Sequence, residues 1–241
     1  MAIAAAGIFG AMFLLWLLSL KLKDSSIVDI FWGCGFVGVG WLSWWVQPSD
    51  RALLAAALTT LWGGRLSLHL FQRNHGKPED QRYEAMRAKR GASWWIWSLL
   101  IVFGLQGALM WVVSLPLQTV RAGPLGVLDF VSAAVVLAGV AFEAVGDAQL
   151  KAFKRDHPGQ VMTTGLWSWS RHPNYFGDFL VWCGLFGFGA WWAIIGPIVM
   201  AVLLRFVSGV PMLERTMGKK PGWDAYAART SAFFPLPPKK A

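Results

Sequence analysis

Residues 168–182 read SWSRHPNYFGDFLVW, a stretch that sets Arg171, His172, Asn174, Tyr175 and Asp178 side by side at the mouth of an apolar run. A guanidinium and an imidazole beside the start of a helix suit phosphate or carboxylate, because the first turn presents unpaired N–H groups and the positive end of the dipole. Pro173 biases His172 toward extended backbone, and Asn174 has the side chain of a good N-cap. The stretch therefore reads as an anion-binding ledge. Upstream, Glu143, Asp147 and Lys151 recur at i, i+4 and i+8, with Lys154 close to the same face. Arg65 and His69 share the i, i+4 spacing. Any one such pair is ordinarily a helix-end ion pair or a satisfied core residue. The set carries more weight: Asp29, Arg65, His69, Glu143, Asp147, Asp178, Arg205 and Glu214 all fall within or at the ends of apolar segments. An ionisable group in lipid costs roughly 3 kcal/mol unless it pairs or lines a cavity. Together these residues point to a polar cavity.

The elements that must position them are helices in a membrane. Of 241 residues, 56% are hydrophobic and 15% charged, whereas soluble domains carry about 25% charged residues. Sixteen Trp suit the membrane–water interface, where indole keeps one edge apolar and its N–H wet. Apolar runs at 2–20, 25–47, 52–72, 93–118, 127–150, 176–192 and 193–213 approach the roughly 20 residues that cross a bilayer. The expected fold is all-α: a polytopic membrane protein with seven transmembrane helices and a tight turn near Trp191–Ala193. The first run lacks the basic start and small-residue cleavage site of a signal peptide, so it counts as a span.

Orientation follows from the basic residues, which favour cytoplasmic loops. Eighteen of the 22 Lys and Arg residues, Lys239 and Lys240 included, fall in the loops after the first, third and fifth runs and in the tail after the seventh. The N-terminus is thus expected outside and the C-terminus in the cytoplasm. Loops 73–92 and 151–175 and tail 214–241 then share the cytoplasmic side, and all eight ionisable groups lie toward that end of their helices. Without repeats or extended low-complexity sequence, residues 1–241 read as one integral membrane domain. The net charge of +9 suits anionic headgroups on the cytoplasmic face; no soluble basic surface suggests nucleic acid. Cys34 and Cys183 lie in apolar runs without a CxxC partner and read as packing residues. No His or Cys spacing suggests a metal site. Compact loops suit a bacterial inner membrane.

The segments FEAVGDAQLKAFKRD, GLWSWSRHPNYFGDFLVWCGLFGFG and ERTMGKKPGWDAYAARTSAFFPLPPK resemble the bacterial membrane proteins of the DUF1295 group, which are similar to steroid 5-alpha-reductases. The likeness runs from about Asp24 to Pro238 and is strongest over 142–189. The R-H-P-x-Y element by itself is also similar to isoprenylcysteine carboxyl methyltransferases. The resemblance implies a seven-helix enzyme that takes NADPH from the cytoplasm and reduces a carbon–carbon double bond conjugated to a ketone. The substrate it implies is lipophilic: steroid-like, fatty or isoprenoid. Carried over, it places cofactor-contacting groups at Glu143, Asp147, Lys154, Asn174, Asp178 and Arg205. Lys151, Arg171, His172 and Tyr175 join that set as neighbours on the same ledge and stripe, and Glu214 joins it as one of the ionisable groups at the shared depth. At the steroid enzymes' substrate-binding Tyr, within LHLFQR, this chain has Leu70, and their Gln-Glu pair is absent. Asp29 and His69 are the groups left to carry the acid–base work. Two other readings use the same residues. One is a methyltransferase in which the ledge holds the methionine carboxylate of S-adenosylmethionine and Glu143 or Glu214 its amino group. The other is a non-catalytic lipid-binding protein whose charges neutralise one another.

Overall fold

In the computed structural model, which describes residues 1–239, the chain is helical, with one isolated bridge between Ser170 and Ser231. Lys240, counted above among the tail's basic residues, lies outside the described residues. The helices are α1 (Ala2–Leu22), α2 (Ile27–Val46), α3 (Asp50–Asn74), α4 (Gln81–Val113), α5 (Leu115–Gln118), α6 (Val127–Asp156), α7 (Pro173–Phe186), α8 (Trp191–Met217) and α9 (Trp223–Arg229). A π-helical stretch widens α4 at Leu99–Gly104 and another widens α8 at Leu203–Val207; α8 then bends at Ser208 and Gly209.

Five helices, α1, α2, α4, α6 and α8, are long and apolar enough to cross a membrane. The other two expected spans differ for separate reasons. Helix α3 has the length, at 25 residues, but carries Asp50, Arg51, Arg65, His69 and Arg73. Helix α7 has only 14 residues, about 21 Å at 1.5 Å per residue, short of a hydrocarbon core of about 30 Å. The expected sixth run continued to residue 192, yet α7 ends at Phe186. Tight turns follow, with Phe188 N–H donating to Leu185 O and Gly189 N–H to Phe186 O. A Cβ on Gly189 would sit 2.8 Å from Pro116 O, so glycine there admits the close approach of Pro116. The unbroken apolar sequence around it hides the break.

The chain divides into two compact units: residues 1–130 with 185–196, and residues 131–184 with 197–241. In the first unit α2 and α3 meet at backbone contact. A Cβ added to Gly33 would overlap Gly63 O, and one on Gly63 would lie 2.6 Å from Gly33 O. Cys34 N–H donates to Ser67 Oγ across this seam, while the Cys34 side chain belongs to an exposed residue rather than to the packing expected of it. Close approach of this kind replaces the missing hydrophobic drive between helices in lipid. Phe36 and Trp62, fully buried, pack with ring centroids 5.8 Å apart. At the start of α3 the buried Arg51 binds both oxygens of Asp129, at 2.7 and 2.9 Å. It also donates to the carbonyls of Arg121, Ala122 and Pro124, tying down the loop before α6.

The tryptophans serve two roles. Trp45 and Trp191 are exposed, as interfacial rings should be, but Trp62 and Trp182 are completely buried.

Candidate functional site

In the second unit, α6 and α7 approach as closely as α2 and α3 do in the first. Cβ atoms built on Gly139, Gly177 and Gly184 would each lie 2.6–2.7 Å from an atom of the facing helix. The seam puts Gly177 against the backbone of Glu143, and the Glu143 side chain is buried at 3% exposure. One turn on, Asp147 is also buried, and Asn174 Nδ2 donates to its Oδ1 at 3.1 Å. Lys151 and Lys154, the next residues on the stripe, are exposed. The α6 stripe and the start of α7 thus combine buried acceptors, an amide and surface cations within a few turns. Asp178 and Arg205 are half-buried, and Arg205 sits in the π-helical stretch of α8.

The start of α7 differs from its expected form. Pro173 occupies the first helical position, where its missing N–H costs nothing, so His172 is the N-cap and Phe176 N–H bonds to His172 O. Asn174 lies inside the helix, not at its cap, and Tyr175 N–H donates to Asn174 Oδ1. Gly146 packs against Pro173 and Asn174 N, so α6 covers this helix end.

The tail determines what surrounds Arg171. Its Nε and Nη2 donate to Glu214 Oε1 and Oε2 at 2.8 and 3.2 Å, and its Nη1 donates to the carbonyls of Ala227 and Thr230. Its backbone N–H bonds to Ser231 O, and the guanidinium lies 5.7 Å from the Trp223 ring. Neighbouring residues repeat the theme: Ser170 Oγ donates to Phe233 O, Tyr226 Oη to Trp167 O, and Leu236 N–H to Trp169 O. Trp167 Nε1 reaches Gly146 O, and Gln149 Oε1 accepts from Leu166 N–H under Gly165, whose φ of 61° suits glycine. Arg171 is therefore a clamp between the RHPN segment and the tail. His172 Nε2 lies 3.1 Å from Glu214 Oε1, and its ring stacks on Tyr175 with centroids 5.4 Å apart. Burial, opposed by Glu214 and reinforced by Arg171 and Arg205, holds the imidazole below its ordinary pKa.

The first unit carries a polar cluster of its own. Asp29 Oδ2 accepts from Arg82 Nη2 at 2.6 Å, and Asp29 Oδ1 accepts from Tyr83 Oη at 2.7 Å. Gln106 Nε2 donates to the same phenol oxygen at 3.1 Å, inside a side chain that is 5% exposed. Asp80 caps α4 through Arg82 N–H and pairs with the Arg82 side chain. Glu79 accepts from Ser25 N–H and from Arg87; burial pushes its carboxyl up, but these bonds outweigh that and leave it below the usual range. Asp29 thus acts as an ionic acceptor that orients Tyr83. His69, the other expected acid–base residue, lies half-buried on α3. Tyr83→Phe removes a buried bond to a charged group and should lower stability by about 2 kcal/mol; an unchanged midpoint of thermal unfolding in detergent would argue against this cluster.

Tyr83, Gln106, Gln149, Trp167 and Tyr226 were not visible as site residues in the sequence. The one usable signal was PEDQRY, a helix start that places an aromatic one turn past an acidic cap. Among the described residues no group of three or more His, Cys, Asp or Glu side chains could hold a metal ion.

A family described as a protein of unknown function, DUF1295, matches residues 15–230. The chain belongs to this family. An uncharacterised protein of Schizosaccharomyces pombe is 24% identical over 266 residues, covering 92% of this chain and 75% of its own length. No solved structure matches the chain.

Proposed function

We propose that this DUF1295 protein is an NADPH-dependent reductase of a conjugated carbon–carbon double bond in a lipophilic steroid-like, fatty or isoprenoid ketone. The observation that carries the reading is the bond from half-buried Asn174 to buried Asp147 beside Glu143, on a stripe that ends in exposed lysines. That donor set fits a phosphorylated dinucleotide. Glu143 and Asp147 offer acceptors for ribose hydroxyls, Asn174 an amide, and Lys151, Lys154 and Arg205 positive charge for phosphates. NADPH, when bound, supplies a hydride. The chain's own residues bind and orient it, and the acid–base task stays with Asp29 and His69 of the first unit. The proposal includes seven spans, with α3 and α7 completing the count, the N-terminus outside, and the cofactor residues facing the cytoplasm of a bacterial inner membrane.

The methyltransferase reading needs a cation for the methionine carboxylate, and the donors of Arg171 are already committed to Glu214 and two carbonyls. Thermal unfolding of the purified full chain separates the readings. NADPH at 100 times its Kd should stabilise the fold by about 2.7 kcal/mol, and S-adenosylmethionine should have no effect. Asp147→Ala and Asn174→Ala should each weaken NADPH binding roughly tenfold to 100-fold while far-ultraviolet dichroism stays intact. Stabilisation by S-adenosylmethionine alone would favour the methyltransferase. No shift with either ligand would favour a lipid-binding role.

A further inference from the structure

We infer that Glu214 fixes His172 as the neutral tautomer protonated at Nε2, so that His172 Nδ1 is a hydrogen-bond acceptor for a hydroxyl or amide N–H of the bound ligand. This rests on the nucleotide site proposed above, and it changes the chemistry expected of the ledge. A cationic His172 would take a phosphate; a bare Nδ1 repels one.

The geometry leaves one arrangement. Glu214, held bidentate by Arg171, is a carboxylate and can only accept. His172 Nε2 at 3.1 Å from Glu214 Oε1 must therefore carry the hydrogen between them. In a neutral ring Nδ1 then has none. His172 is 3% exposed, and among the described residues no side chain or backbone group bonds its Nδ1. Stacking on Tyr175 fixes the ring plane, and the bond to Glu214 fixes its rotation, so the lone pair of Nδ1 has a set direction. A second proton would put a buried N–H at Nδ1 and charge at a desolvated site. The charged groups acting on the ring are Glu214, which favours that proton, and Arg171 and Arg205, which oppose it. Burial tips the balance toward the neutral ring, in line with its lowered pKa. A nucleotide offers donors of the right kind in its ribose hydroxyls and its carboxamide.

The test uses the full chain in nanodiscs with 15N-labelled histidine; with four His in the sequence, the His172 signals are assigned by their loss in His172→Gln. At pH 7 the expected spectrum shows Nε2 protonated and Nδ1 bare, and Glu214→Ala should remove the preference for that tautomer. Saturating NADPH should move the Nδ1 resonance toward that of a hydrogen-bonded acceptor and leave Nε2 protonated. A doubly protonated ring, or a proton on Nδ1, overturns the inference whether or not NADPH binds. An unmoved Nδ1 resonance in the NADPH-saturated protein overturns the acceptor role. If NADPH does not bind, a shift with S-adenosylmethionine supports the acceptor role and overturns the reductase reading.

Discussion

Valine in place of Gly177 is expected to break the packing of α6 on α7. A Cβ there would lie 2.7 Å from both Glu143 N and Gly139 O, and 2.9 Å from the Glu143 Cβ. The first two are backbone atoms within helices, which cannot rotate aside as a side chain can. Relief requires the two helices to part, and parting also opens the contacts at Gly139 and Gly184 on the same seam. Overpacking a core costs about 1–3 kcal/mol and occasionally more; a clash against two backbone atoms of the facing helix belongs at the upper end. Unfolding in detergent should show the loss, and NADPH binding should fall with it because Glu143 and Asp147 lie along that seam. A melting midpoint within a degree or two of the parent protein would show that α6 and α7 are not held at this distance.

The second large effect concerns Arg171. Arg171→Ala leaves the half-buried Glu214 carboxylate with His172 but without its guanidinium, and strips the carbonyls of Ala227 and Thr230 of this donor. Removing one member of a buried pair costs about 3–5 kcal/mol; with side-chain exposures of 14% and 24% here, roughly 3 is expected. Lysine should rescue little, because a point charge cannot reproduce a fork that serves one carboxylate and two carbonyls. Hydrogen exchange and limited proteolysis should locate the damage in residues 214–236. The double variant Arg171→Ala with Glu214→Ala should cost less than the two single changes added together, the mark of direct coupling. Additive costs and a protease-resistant tail would remove the clamp from the account.

Composition made the helical, membrane-spanning character legible, because charge so sparse and apolar runs so long leave few alternatives. The spacing of Glu143, Asp147 and Lys151 likewise placed them on one face without any knowledge of the fold. What the sequence concealed was long-range. Arg171 read as a ligand for an anion, since nothing local says that a carboxylate 43 residues downstream and carbonyls 56 and 59 residues away will occupy it. Tyr83 lies in the expected loop 73–92, and nothing local ties it to Asp29, 54 residues before it, or to Gln106, 23 after. Glycines that could have served flexibility serve close approach instead, and only the facing helix distinguishes the two uses. Local rules place the cap at Asn174, whereas the proline that discourages helix at His172 is itself the first residue of α7.

The partners of the RHPN segment are synthesised late. While the ribosome is still making residues 214–236, Arg171, Ser170 and Trp167 lack the carboxylate, carbonyls and phenol that later satisfy them. α6 and α7 can already have formed, but the RHPN segment acquires its final form only once the last stretch folds back. Domains that mature in this order expose their unfinished surfaces to quality control for the longest time. A bulky fusion placed directly after Glu214 would therefore act as a defect in assembly, and its symptom would be low yield before it was low activity.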